Sequence, residues 1–176
     1  MAWVCLVAAA FAVPVPFMAA PGGGVSFHGE SSVGPVLGRV DVFSASLDLD
    51  AGTGAFVADA ASLTTGLGPR DQRMLVYALD VATFPEVRFD VQRVDRPRDA
   101  SPNDGPVSLV GTLSVHGVTL PLTVAATATT EGGKLRLRGD VPLTLADYTI
   151  PDPSVVIATF SPTVHVTFDV VGDLAP

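Results

Sequence analysis

A chain of 176 residues with a net charge of -8 and a single cysteine excludes several classes at the outset. One domain of this size buries roughly two thirds of its surface and holds its own core without staples. The negative charge repels polyanions and argues against a nucleic-acid partner. Cys5 alone cannot make an internal disulfide, a CxxC redox pair or a cysteine zinc site. Hydrophobic residues make up 48% of the chain but aromatic ones only 7%. The core must therefore be built mainly from Val, Leu and Ala, which favours strands.

In chain order, residues 1–20 carry no charge and run apolar from Trp3 to Val13, with Pro14, Pro16, Ala19 and Ala20 after. This segment reads as a secretory signal cut near Ala20, or as a membrane segment left in place. Either reading puts the protein outside the cytoplasm, periplasmic or secreted. Pro21-Gly22-Gly23-Gly24 reads as a flexible linker over residues 21–24. A barrel domain over 25–172 and a tail over 173–176 complete the division.

From Val25 onward the chain alternates apolar and polar residues, the pattern of half-buried strands. Val40 to Leu49 and Phe56 to Leu63 are two such runs. Pro69 to Leu79 instead spaces Met74, Leu75, Ala78 and Leu79 as a short helix does, with Asp71 as its first-turn acid. Val87, Phe89 and Val91 then form an inward face, and Asp95 to Pro106 reads as a long polar loop.

Val107, Leu109, Gly111, Leu113 and Val115 share the next face. A two-residue turn at His116-Gly117 pairs Val115 with Val118 and carries the inward set on through Leu120, Leu122, Val124, Ala126 and Ala128. A second turn at Gly132-Gly133 pairs Ala128 with Leu137, Ala126 with Gly139, and Glu131 with Lys134 on the solvent face. Val164, Val166, Phe168 and Val170 close the series. About eight strands result, the number at which an antiparallel sheet closes around side chains or one ligand. The fold class is thus all-β, a closed antiparallel eight-stranded barrel with one short helix.

Certain motifs then carry a resemblance. Ala61-Ser62-Leu63-Thr64-Thr65-Gly66, Arg70-Asp71, Leu79-Asp80-Val81, Phe84-Pro85-Glu86-Val87-Arg88-Phe89 and the run from Gly111 to Leu122 resemble, in order and spacing, the motif series of YceI-like proteins. Asp147-Tyr148 with Pro153-Ser154 is similar too. The resemblance covers about residues 25–172. It implies a lipocalin-like barrel whose studied members hold a long polyisoprenoid-type lipid in an apolar tunnel. Two departures stand out: Val25-Ser26-Phe27-His28 is a short lead, and Arg73 replaces the His that commonly follows the Arg-Asp pair.

The expected ligand is an apolar lipid such as a polyisoprenoid, carried without covalent chemistry. The expected cavity lining is Val87, Phe89, Val91, Leu109, Gly111, Leu113, Leu122, Val124, Ala126, Leu137, Gly139, Val166 and Phe168. Small Gly111, Ala126, Ala128 and Gly139 leave a channel, or else complement bulky Phe89, Leu122 and Phe168 in a filled barrel. Arg70, Arg73 and Tyr148 are candidates for a head-group contact, against the plainer role of Arg-Asp in setting a turn. No cofactor is expected. No metal is expected either, because His28, His116 and His165 read as far apart. No GxSxG stands in the chain, and Asp80 and Glu86 bracket a turn rather than form a catalytic pair. The rival to a lipid carrier is a filled barrel serving as an interaction or stress-protective module; self-association stays open under both.

Overall fold

The computed structural model describes residues 14–97 and 104–174. Ten strands are present among them: β1 (Val15–Ser31), β2 (Val36–Val40), β3 (Phe43–Asp48), β4 (Thr53–Asp59), β5 (Leu63–Thr64), β6 (Glu86–Asp95), β7 (Gly105–Val115), β8 (Val118–Glu131), β9 (Lys134–Thr144) and β10 (Phe160–Asp173). A helix, α1 (Gly68–Gln72), continues as a π-helical stretch Arg73–Ala78. Eight strands, β1, β3, β4 and β6 to β10, form an antiparallel ring that closes where β10 pairs with β1. Closure gives every strand of the ring a neighbour on each side, although the middle of β1 pairs with neither β3 nor β2. β2 lies on the second half of β1, and the two-residue β5 lies on β2.

The meander β7, β8 and β9 has the register that its two turns imply. Val115 pairs with Val118, Ala128 with Leu137, Ala126 with Gly139 and Glu131 with Lys134. His116 and Gly117, like Gly132 and Gly133, all have positive φ, as the mirror-image turns favoured in hairpins require. Lys134, however, forms its ion pair with Asp173 of β10 rather than with Glu131.

Three sequence expectations need correction. The run from Val40 to Leu49 is broken at Asp41 and Val42, whose amides donate to Ser62 O and Ser62 Oγ instead of to a neighbouring strand. The run from Phe56 to Leu63 ends at Asp59, whose carboxylate accepts from Ala61 N and starts a 3-10 turn. Pro21 to Gly24 is no linker: it belongs to a loop-out inside β1, between the pairs Ala19–Val170 and Gly24–Asp169, with Gly22 and Gly24 at positive φ.

The same strand reaches back to Val15, which pairs with Leu47, and Phe17 pairs with both Ala45 and Gly172. Val15, Phe17 and Ala20 are buried in the core. Residues 15–20 are thus structural, while the earlier part of the apolar N-terminal run, with Cys5, lies outside the described residues. So does the middle of the loop after Asp95. At the other terminus β10 extends through Asp173, and Leu174 N donates to Gly133 O. No helix of the described residues is long and apolar enough to cross a membrane.

The interior is not uniform along the barrel. One end, between the β8–β9 turn and the start of β1, is packed solid around Leu47, Leu109, Leu135, Leu137 and Val170, the most buried large side chains. At the other end buried Ala78, Tyr148 and Ile150 join the same core from the helix and from the 3-10 turn Leu145–Tyr148. His116 Nδ1 lies 3.4 Å from Thr149 Oγ1, which holds that segment against the β7–β8 turn.

Candidate ligand-binding cavity

Beyond the packed end the barrel interior holds a cavity of about 140 Å³ that is partly open to solvent. Its lining is apolar but for Ser44: Val87 and Phe89 of β6, Leu109 and Leu113 of β7, Leu122 and Val124 of β8, and Val166 and Phe168 of β10 were all expected from period two. These strands present alternate residues inward, so one parity from each supplies the wall. Phe56 and Phe168 meet at 6.2 Å between ring centroids.

Five expected residues do not line it. Val91, Ala126 and Leu137 point inward but are buried in the packed end. Gly111 and Gly139 leave no channel, contrary to one of the two readings of the small inward positions. A Cβ at Gly111 would lie 1.9 Å from Asp90 O, because β6 bulges between Val91 and Arg93 and its backbone crowds β7. A Cβ at Gly139 would lie 2.4 Å from Cζ of Phe168. The glycines accommodate backbone and ring rather than ligand.

Val25, Phe43, Phe56, Val141 and Leu143 also line the cavity and were missed. Four of them carried a usable signal: Val141 and Leu143 continue the parity of Leu137 and Gly139, and Phe43 and Phe56 sit in runs already read as strands.

The three head-group candidates are engaged elsewhere, and none lines the cavity. Arg70 donates through Nε to Thr65 Oγ1 at 2.7 Å and through Nη2 to Thr65 O at 3.3 Å. Its neighbour Asp71 accepts from Thr64 Oγ1 and from Thr65 N, each at 2.7 Å, and from Thr65 Oγ1. Burial acts to raise the Asp71 pKa, but the bonds from Thr65 and Thr64 outweigh it and hold the carboxyl below its ordinary value. The Thr64-Thr65-Gly66 and Arg70-Asp71 motifs are therefore one clamp that ties β5 to α1.

Arg73 spans to the far loop, donating to Pro153 O at 3.2 Å and Ser154 O at 3.3 Å, with its guanidinium 4.4 Å from the Tyr77 ring centroid. Tyr148 is part of the core at the end opposite the packed one, and burial, aided by the charge of Asp147, raises its pKa.

The histidines also need correction. His28 and His165 are register partners across β1 and β10; their rings stack at 4.9 Å, and His165 Nδ1 lies 2.8 Å from Asp140 Oδ1. His116 stays apart, packed on Phe84 at 4.6 Å. Among the described residues, no group of three His, Cys or acidic side chains is placed to hold a metal ion.

Comparison with known proteins adds the following. Residues 22–172 match the YceI-like domain. A polyisoprenoid-binding domain from Saccharophagus degradans, implicated in plant cell wall breakdown, superposes with a TM-score of 0.74 at 20% identity, covering 93% of this chain and 100% of that one. BcnA of Burkholderia cenocepacia gives 0.73 at 18% identity, covering 85% and 96%. A YceI protein of Campylobacter jejuni gives 0.66 at 16% identity, covering 80% and 86%. No curated protein matches the sequence significantly.

Proposed function

This chain belongs to the YceI-like family, and from that premise we propose that it binds and carries an apolar lipid, isoprenoid or long-chain, inside the barrel. The observation that carries the proposal is the apolar, partly open cavity inside the barrel. The polyisoprenoid-binding description of the Saccharophagus neighbour adds support. Affinity would come from burying hydrocarbon, at roughly 25 cal/mol per Å². Apart from Ser44 the lining is apolar, which suits a hydrocarbon ligand.

Size sets a condition on this reading. A cavity of 140 Å³ is close to the roughly 150 Å³ that admits a benzene ring, and below the roughly 300 Å³ of common ligand sites. On the carrier reading a lipid tail must therefore displace the rings at the margin, Phe43, Phe56 and Phe168. The same small volume, with Val76, Tyr77, Val156 and Ile157 exposed on the outside, favours the second reading, a filled barrel that works through its surface. Native mass spectrometry of protein purified from its host without detergent separates them. A retained long-chain adduct supports the carrier, and a bare chain that also refuses a fluorescent lipid supports the filled module.

We also place the protein outside the cytoplasm, periplasmic or secreted, on the strength of the uncharged apolar run before Pro14. Recovery of the chain only in the cytosolic fraction would overturn that placement.

A further inference from the structure

The barrel wall is interrupted in one place. β1 pairs with β3 from Val15 to Phe17 and with β2 from Val25 to Gly29, leaving Met18 to Gly24 without a partner on that side. Opposite this stretch, Asp41 and Val42 turn their amides to Ser62. On the other flank the loop-out between Ala19 and Gly24 loosens the pairing with β10. A cleft of about 490 Å³ occupies the gap.

Residues of both faces of the wall meet at this cleft. Ser26 and Thr167 face outward, bonded to each other at 2.7 Å, and Asp169 faces outward to Arg136. Val25, Phe43 and Phe168 have the opposite parity, and all six line the cleft. The three inward residues line the inner cavity as well, so they stand between the two spaces. Ala19 points the same way: it pairs with fully buried Val170 and yet is itself exposed.

From this gap in the pairing and from the residues shared by the two spaces, we propose that the opening between Met18–Gly24 and Asp41–Ser44 is the port through which a single apolar chain reaches the interior. Phe43 and Phe168 form its inner gate. The polar end of the molecule stays outside, among Ser26, Arg39, Asp41, Thr167 and Asp169. The proposal rests on the lipid-binding reading and adds the route to it.

The test plugs the port after folding. In a Cys5→Ser background, Ala19→Cys is folded, labelled with a bulky maleimide, and mixed with the fluorescent fatty acid cis-parinaric acid in a stopped-flow instrument. A Thr129→Cys chain, labelled on the exposed outer wall of β8, is the control. Labelling position 19 is expected to slow loading at least ~10-fold, with the control unchanged and the final fluorescence retained on long incubation. Equal loading rates in the two labelled chains would overturn the port and leave the binding reading standing. Failure of the unlabelled chain to take up the probe at all would overturn both. Phe43→Ala, which removes part of the gate, should speed loading; an unchanged rate there counts against the gate.

Discussion

The ring of Phe168 occupies the space that a side chain at Gly139 would fill, and the two residues are register partners across β9 and β10. Phe27 and Gly38 repeat the arrangement across β1 and β2, where a Cβ at Gly38 would lie 2.1 Å from Cζ of Phe27. A ring laid over a cross-strand glycine covers bare backbone and lets a strand bend without losing contact. Here it also sets the cavity size, because Phe168 leans over Gly139 while standing at the margin of both the cavity and the side cleft.

Gly139→Ala should therefore destabilise the barrel by about 1–3 kcal/mol through overpacking. Part of that cost is fixed, since the new Cβ would also lie 2.8 Å from Ala125 O. In a Phe168→Ala background the same substitution should cost less, and the difference is the coupling between the two positions. Urea denaturation of the four chains measures it. A cost unaffected by the ring would show that Ala125 O alone enforces the glycine.

The central meander could be read from sequence because its contacts are local: two glycine turns fix the pairing of β7, β8 and β9 through residues close in the chain. What could not be read depends on distant partners. Val40 to Leu49 looks like one strand until Ser62 takes the amides of Asp41 and Val42. Pro21 to Gly24 looks like a linker until β10, more than a hundred residues later, pairs on both sides of it. His28 and His165 meet for the same reason. Alternation found the inward face and eight residues of the cavity, but it could not say which inward residues lie in the packed end, since that depends on strand stagger around the ring.

A chain that begins at Pro21 should be markedly less stable than one that begins at Pro14. The shorter chain loses Val15 and Phe17, both buried and paired with β3. At roughly 1.5–3 kcal/mol for each large apolar side chain removed from the core, the expected loss exceeds about 3 kcal/mol. Thermal and urea melts of the two chains decide this. Equal midpoints would mean that residues 15–20 are dispensable and that a processing cut near Ala20 is structurally harmless.

Acid should weaken the fold through Asp71 and Asp169. Both carboxyls titrate below their ordinary value. In Asp169 the hydrogen bond from Arg136 is the leading cause, burial opposes it, and Arg138 adds to it; in Asp71 burial opposes and the threonine bonds prevail. A depressed folded pKa stabilises the protein above the unfolded value, about 3.9 for Asp, and that stabilisation is lost as pH falls through the folded value. Stability from these groups should be flat above about pH 5 and decline below about pH 4. Asp71→Asn should lower the plateau by about 1–3 kcal/mol and make the acid limb shallower, as urea midpoints across pH would record. An unchanged acid limb would assign the loss to other carboxyls.

Arg70 and Arg73 separate scaffold from ligand site. Arg70 is held by Thr65 and Arg73 by the carbonyls of Pro153 and Ser154, so each guanidinium already has partners within the fold. Arg70→Ala should cost about 1 kcal/mol by releasing one side of the clamp, and Arg73→Ala less than about 1 kcal/mol because its contacts are exposed. Neither should change the final fluorescence of bound cis-parinaric acid, since neither residue lines the cavity or the side cleft. Loss of probe affinity in a chain of normal stability would instead restore these residues as head-group contacts, and would move the polar end of the ligand from the port to the helix.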